Sequence, residues 1–183
     1  ETDIDEKLDP NDQDEVKTDT EVLKSNINWK EYNPILKGKK YTYIYTIKEG
    51  NTSIPTEVIR EVVDIKETTY ILRQSLATSS KESQFPSTNI SVAINNDNSP
   101  TIIPAISVGG EKVTATSTLQ IFEKPEKVKV PLGEYDAIKL ISTTTDKSGE
   151  VKTTSWYAKN VGLVKSTQES KAGNYYLELK VFK

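Results

Sequence analysis

The chain has 183 residues, 34% of them hydrophobic and 28% charged, with a formal net charge of −3. This is polar for a globular protein but short of disorder, and it leaves room for one domain plus a tail. There is no Cys and no His, which excludes disulfides, thiol chemistry, Ser-His-Asp and Cys-His catalysis and the usual zinc sites.

No apolar run approaches the length that crosses a bilayer, so the chain is expected to be water-soluble. It starts at Glu1 and holds no Met, as expected of a processed product. Residues 1–25 carry ten acids against three bases, whereas the remainder is net basic. So charged a stretch buries too little apolar surface to offset its ordering entropy, and it is expected to be a flexible acidic spacer. Within it Asp9, Asn11 and Gln13 alternate like the start of an EF-hand loop. Asp14 stands where that loop needs Gly, however, and Thr20 where it needs Glu; no metal is assigned. A helical turn over Asp14–Leu23 is the other local reading.

Residues 26–183 are expected to form one β domain. Ile27–Gly38 gathers Trp29, Tyr32, Pro34, Ile35 and Leu36, and Pro34 forbids a continuous helix, so a short turn closing one end of the domain is expected. Period-two alternation then begins. Lys40–Lys48 places Tyr41, Tyr43, Tyr45 and Ile47 on one face, the pattern of a half-buried strand. Strands are expected next at Glu57–Ile65, Thr68–Leu76 and Ser87–Ile94. Residues 77–110 are rich in Ser, Asn, Thr and Pro and are expected to cover one mouth of a curved sheet. The apolar run there, with Ile102, Ile103 and Ile106, reads either as a buried irregular strand or as the wall of an apolar pocket.

Further strands are expected at Lys112–Phe122, Glu126–Val130, Tyr135–Thr144, Glu150–Ala158, Gly162–Glu169 and Asn174–Phe182. Turn residues separate them at Glu49–Asn51, Asp146–Gly149, Asn160–Gly162 and Lys171–Asn174. Loops this short between successive strands imply antiparallel neighbours.

Three segments carry a family resemblance. Glu31–Tyr43 resembles an aromatic-Pro-Leu-x-x-Gly-x-x-aromatic-x-Tyr lead-in, Val130–Ala137 a Val-Pro-x-Gly-x-aromatic-x-Ala strand opening, and Trp156–Lys165 a Trp-aromatic-Ala-x-x-Val-Gly-x-Val-Lys hairpin. All three are similar to segments of exported bacterial proteins of uncharacterised function, and more distantly to the LolA/LolB-like lipoprotein-carrier half-barrels. The chain lacks the helices that plug those carriers. The resemblance implies a strongly curved antiparallel sheet, a half-barrel or closed barrel of about 9–10 strands, with little helix. It also implies an extracytoplasmic address, lipid-anchored at the cell surface through an anchor upstream of Glu1, or secreted.

On the β domain, Tyr41, Tyr43 and Tyr45 read as core with hydroxyls reaching the rim, and Trp156 as a core or barrel-end plug. The functional alternative is that these residues, with Ile102, Ile103 and Ile106, line a ligand site. Catalysis would have to rest on carboxylates such as Glu57, Glu61, Asp64, Glu134 and Asp136, as in a glycoside hydrolase. Strand-borne acids among lysines read as a solvated face, and Ser80-Lys81 and Ser166 lack a nucleophile elbow, so no enzyme is expected. Nor is a cofactor. Nucleic acid is not expected as a partner, because the domain's basic excess is small and lacks aromatic–Arg interleaving. The expected function is a monomeric binding module for a lipid, glycan or envelope protein, held in the concavity of the sheet. A purely structural envelope domain is the alternative.

Overall fold

A computed structural model describes residues 25–49, 52–77, 87–103, 112–113, 118–146, 149–171 and 173–183. Residues 1–24 lie outside these, and with them the expectations of a spacer, a calcium loop and a helical turn; Ser80-Lys81 and Ile106 also lie outside.

One turn of helix, α1 (Trp29–Tyr32), precedes ten strands: β1 (Lys40–Glu49), β2 (Thr52–Ile65), β3 (Thr69–Ala77), β4 (Thr88–Ala93), β5 (Lys112–Val113), β6 (Leu119–Val130), β7 (Gly133–Asp146), β8 (Gly149–Ala158), β9 (Gly162–Ser170) and β10 (Gly173–Phe182). They form one sheet in the order β5-β4-β3-β2-β1-β10-β9-β8-β7-β6. The fold is all-β and the sheet is open, with β5 and β6 at its two edges. Two meanders, β1–β4 and β6–β10, are joined where β1 pairs antiparallel with β10.

Two details differ from the expectations. The pair β4–β5 is parallel, whereas antiparallel neighbours are expected throughout. The expected strands Lys112–Phe122 and Glu126–Val130 are redistributed, because β6 runs from Leu119 through Val130 with a break in register between Phe122 and Glu126. Pro125 sits in that irregularity on an edge strand, the setting in which a residue without a ladder donor is tolerated. Pro55 has a similar setting, since it lies in the part of β2 that β3 does not reach.

The sheet curls strongly. Leu132, in the β6–β7 turn, donates its N–H to the carbonyl of Leu179 on β10 at 3.1 Å, across the three strands that separate β6 from β10. The phenols of Tyr41 and Tyr43 reach past β10, donating to Val161 O in the β8–β9 turn at 3.0 Å and to Leu163 O on β9 at 3.1 Å. Alternation along β1–β4 and β7–β10 buries one set of side chains on one face, here called inner. Its centre is a cluster of Tyr41, Tyr43, Tyr45, Val58, Val164, Leu177 and Leu179. A second cluster gathers Val62, Tyr70, Leu72, Ile90 and Val92, and a third gathers Trp29, Ile138, Leu140 and Tyr157. The aliphatic members of these clusters are almost wholly buried, at about 1.5–3 kcal/mol each relative to exposure.

Trp29 closes the end of the sheet as the sequence around Pro34 suggests. It is 1% exposed and meets Tyr157 edge-on at 6.3 Å between ring centroids. The chain after α1 is held by Gly38 N to Val62 O and Val62 N to Lys39 O, so the lead-in lies against β2.

Candidate functional site

The inner face holds a chamber of about 70 Å³, partly open to solvent, where curvature brings β1–β3 opposite β8 and β9. Its strand walls carry Tyr41 and Tyr43 from β1, Arg60 and Val62 from β2, and Tyr70 and Leu72 from β3. From the opposite side come Ser155 and Tyr157 on β8 and Leu163 and Ser166 on β9. Pro34 and Ile35 of the lead-in and Pro100, Thr101 and Ile103 of the segment after β4 complete it. The latter two pieces are tied together by Asn33 Nδ2 donating to Asn98 O at 3.3 Å.

Arg60 defines the chemistry. It is 3% exposed and occupies an inner-face position between Val58 and Val62, where alternation would otherwise place an aliphatic side chain. Its Nε–H donates to Gln74 Oε1, its cross-strand neighbour on β3, at 3.0 Å, and its guanidinium lies 5.9 Å from the Tyr43 ring centroid. Burial lowers its pKa from the ordinary value, and the phenols of Tyr43, Tyr70 and Tyr157 oppose that shift. Arginine remains charged under such shifts, so a cation is held on an apolar sheet face.

The phenols around it are also changed by burial. Burial pushes the pKa of Tyr41 and of Tyr70 up to about 12, and those of Tyr43 and Tyr157 higher still. All four are therefore neutral hydroxyl donors across the physiological range. Tyr41 and Tyr43 spend their hydrogens on the carbonyls of Val161 and Leu163. Tyr70 and Tyr157 are 8% and 5% exposed, and their hydroxyls have no hydrogen-bond partner among the described residues. On β8 and β9, Ser155 and Ser166 share a 3.0 Å hydrogen bond.

The residues nominated from sequence divide clearly. Tyr41, Tyr43 and Ile103 line the chamber, whereas Tyr45 lies in the same core cluster beyond it and stacks on Tyr175 at 6.1 Å. Ile102 is half-buried and outside the lining. Trp156 is half-buried, packs against the first core cluster and lies opposite Lys139 on β7 and Lys165 on β9. There its Nε1–H donates to Glu126 Oε1 at 2.6 Å. Its neighbour Tyr157 lines the chamber and meets Trp29 edge-on.

Arg60, Tyr70, Tyr157, Ser155 and Ser166 are site residues that sequence reasoning misses. For Arg60 a signal is present, because Val58-x-Arg60-x-Val62 puts a cation in register with two aliphatics. For Tyr70 and Tyr157 nothing in the sequence distinguishes a chamber wall from ordinary core.

The candidate catalytic acids stand elsewhere. Glu61 and Asp64 pair with Lys40 and Lys37 at 3.3 and 3.2 Å, Lys127 bridges Glu134 and Asp136 at 3.2 and 3.7 Å, and Glu57 pairs with Lys180. Among the described residues no group of three or more Asp and Glu is placed to hold a metal ion, and no helix is long and apolar enough to cross a membrane.

Comparison with known proteins adds a family. A family model described as DUF3108-like matches residues 84–176. No curated protein matches the chain. Two crystal structures are similar: a protein provisionally described as exported, with a YMCC-like fold, from Bacteroides fragilis, and a provisionally described lipoprotein from Parabacteroides distasonis. Each shares 14% identity and covers 84% of this chain, with 99% and 98% of its own length covered and TM-scores of 0.48 and 0.49.

Proposed function

The chain belongs to the DUF3108-like family, and since that description specifies no reaction, we propose a function from the chamber: a non-catalytic module that binds a small amphiphile on its inner face. The observation that carries the reading is a chamber of about 70 Å³ whose wall combines a buried guanidinium with phenols and aliphatics. The non-catalytic part is supported by the five nominated carboxylates, each held in a surface ion pair with lysine.

The test is saturation-transfer NMR with octyl-chain probes: the alcohol, the acid, the phosphate and the glucoside. At least one is expected to give a saturable signal that the chamber-filling substitution Ser166→Leu removes. Silence from all four probes, or a signal indifferent to Ser166→Leu, overturns the binding reading.

The proposed setting is extracytoplasmic, with residues 1–25 as a spacer between envelope and domain. This rests on the charge segregation of the sequence and on the resemblance of its three motifs. Fractionation of the source cells with an antibody to the β domain is expected to find the protein outside the cytoplasm; cytoplasmic recovery overturns this part.

A further inference from the structure

Resting on the binding reading above, we propose that the chamber receives a neutral hydrogen-bond acceptor, a carbonyl oxygen carried on a short aliphatic chain, held between the hydroxyls of Tyr70 and Tyr157. The other polar side chains of the wall all have partners. Tyr41 and Tyr43 donate to Val161 O and Leu163 O, Thr101 Oγ1 to Ala93 O at 3.0 Å, and Asn33 Nδ2 to Asn98 O at 3.3 Å. Ser155 and Ser166 bond each other. Arg60 is engaged by Gln74, by the Tyr43 ring and by a further interaction, so it belongs to the wall and not to the ligand site.

Tyr70 and Tyr157 stand apart from these. They come from β3 and β8, on opposite walls of the chamber, and are more than nine-tenths buried. Neither hydroxyl has a hydrogen-bond partner among the described residues. The two are within electrostatic reach of each other, since Tyr70 helps to raise the pKa of Tyr157. Burial keeps both phenols protonated, so each has an O–H to give. Buried polar groups are paired as a rule, and two unpaired O–H groups at one cavity form a site for an acceptor with two lone pairs. A carbonyl oxygen has both. Being neutral, it also enters without the desolvation cost that a carboxylate or phosphate brings.

The rest of the wall suits an apolar tail behind the carbonyl. Ile35, Val62, Leu72 and Ile103 supply apolar surface beside the two donors, against which methylenes can pack. The volume decides the size class. About 70 Å³ holds several water-sized volumes, enough for a carbonyl and a short alkyl run, whereas a diacyl lipid would not enter.

The experiment is ligand-observed NMR titration of the full chain with hexan-2-one and with 2-methylhex-1-ene, an isostere in which a methylene group replaces the carbonyl oxygen. Sodium hexanoate is titrated alongside, and the series is repeated on Tyr70→Phe, Tyr157→Phe and the double variant, which keep both rings and remove only oxygens. The ketone is expected to bind. The ratio of ketone to alkene affinity is expected to fall several-fold in each single variant and at least about tenfold in the double variant, the margin of two neutral hydrogen bonds. Infrared spectra of the carbonyl-labelled ketone are expected to show its bound C=O stretch at lower wavenumber in the parent than in the double variant, a shift that a merely structural role for the phenols does not produce. A ratio unchanged by the double variant, or a stretch that does not move, overturns the carbonyl site while leaving the binding module intact. Hexanoate bound more tightly than the ketone overturns the neutral ligand class and with it the proposal. Absence of binding by all three overturns both readings. Should the double variant fail to fold, the single variants decide alone, and a ratio unchanged in both overturns the proposal.

Discussion

The two tryptophans show how much one residue's facing matters. Trp29 is 1% exposed, meets Tyr157 edge-on and packs with Ile138 and Leu140. Trp29→Ala is expected to destabilise the domain by about 3–5 kcal/mol, because the end of the sheet has no spare side chain to refill the cavity. Urea denaturation checks this, and a loss below about 1 kcal/mol would mean that the end plug lies elsewhere. Trp156→Ala is expected to cost less, since its ring packs against the first core cluster but is only half-buried. Its indole has a different effect. The Trp156 hydrogen bond, with smaller help from Lys139, holds the Glu126 carboxyl below the usual range. A depressed carboxyl pKa contributes stability that is present above the unfolded value and lost as pH falls through the folded one. In Trp156→Phe the Glu126 pKa, tracked by NMR, is therefore expected to move back up. An unmoved value would show that Lys139 alone sets it.

At the scale of elements, the hairpin β8–β9 and the lead-in to β1 are locked together. Asn160 N–H donates to Glu31 O at 2.6 Å and Lys159 pairs with Glu31 at 2.7 Å, so the hairpin loop sits on α1. Gly162, with φ of +102°, ends the loop, and a Cβ there would lie 3.4 Å from the Tyr41 hydroxyl and 3.8 Å from Pro34 Cδ. Gly38, with φ of +83°, has open space around the same position. Gly38→Ala is expected to cost only the backbone term, about 1–2 kcal/mol. Gly162→Ala is expected to cost more, because it also presses on the phenol that bonds Val161 O. Thermal melts of the two variants rank them, and equal losses would show that the Tyr41–Pro34 contact yields freely. Both glycines lie in segments whose turn character is legible in the sequence. So are eight of the ten strands, to within a few residues, because a sheet with one dry face prints its period on the chain. Two kinds of information stay hidden. The charged Glu123-Lys124-Pro125 reads as a break, yet an edge strand tolerates it as an irregularity. And alternation tells which residues share a face without telling which of them line the chamber, so nothing local separates Tyr157, which does, from Trp156, which packs against the core beside it.

On the scale of the whole molecule, curvature makes the site, and curvature is carried by contacts between residues far apart in sequence. Tyr41 and Tyr43 bond to residues 120 positions away, and the chamber joins β3 to β8 through a curl that no local pattern encodes. Arg60 is visible as a misfit in its strand, but its company of Tyr70 and Tyr157 becomes readable only with the sheet rolled up. The same burial gives the molecule an alkaline limit. Tyr41, Tyr43, Tyr70 and Tyr157 all have pKa values raised, chiefly by burial, with Arg60 lowering three of them by a smaller amount. A phenol raised above its unfolded value of about 10 contributes stability that is complete below that pH and is lost as pH rises through the folded value. Stability from urea midpoints is therefore expected to hold up to about pH 10 and to fall steadily toward pH 12 and beyond. The phenolate absorbance of the four inner rings is expected to appear together with loss of the β signal, not before it. Tyr43→Phe removes the most buried of these phenols at the cost of one hydrogen bond to Leu163 O, and its decline with pH is expected to be shallower than the parent's. A parent whose midpoint stays flat to about pH 12, or whose inner phenols ionise while the sheet remains intact, would mean that water reaches the inner face freely and that the chamber is no shelter for a buried headgroup.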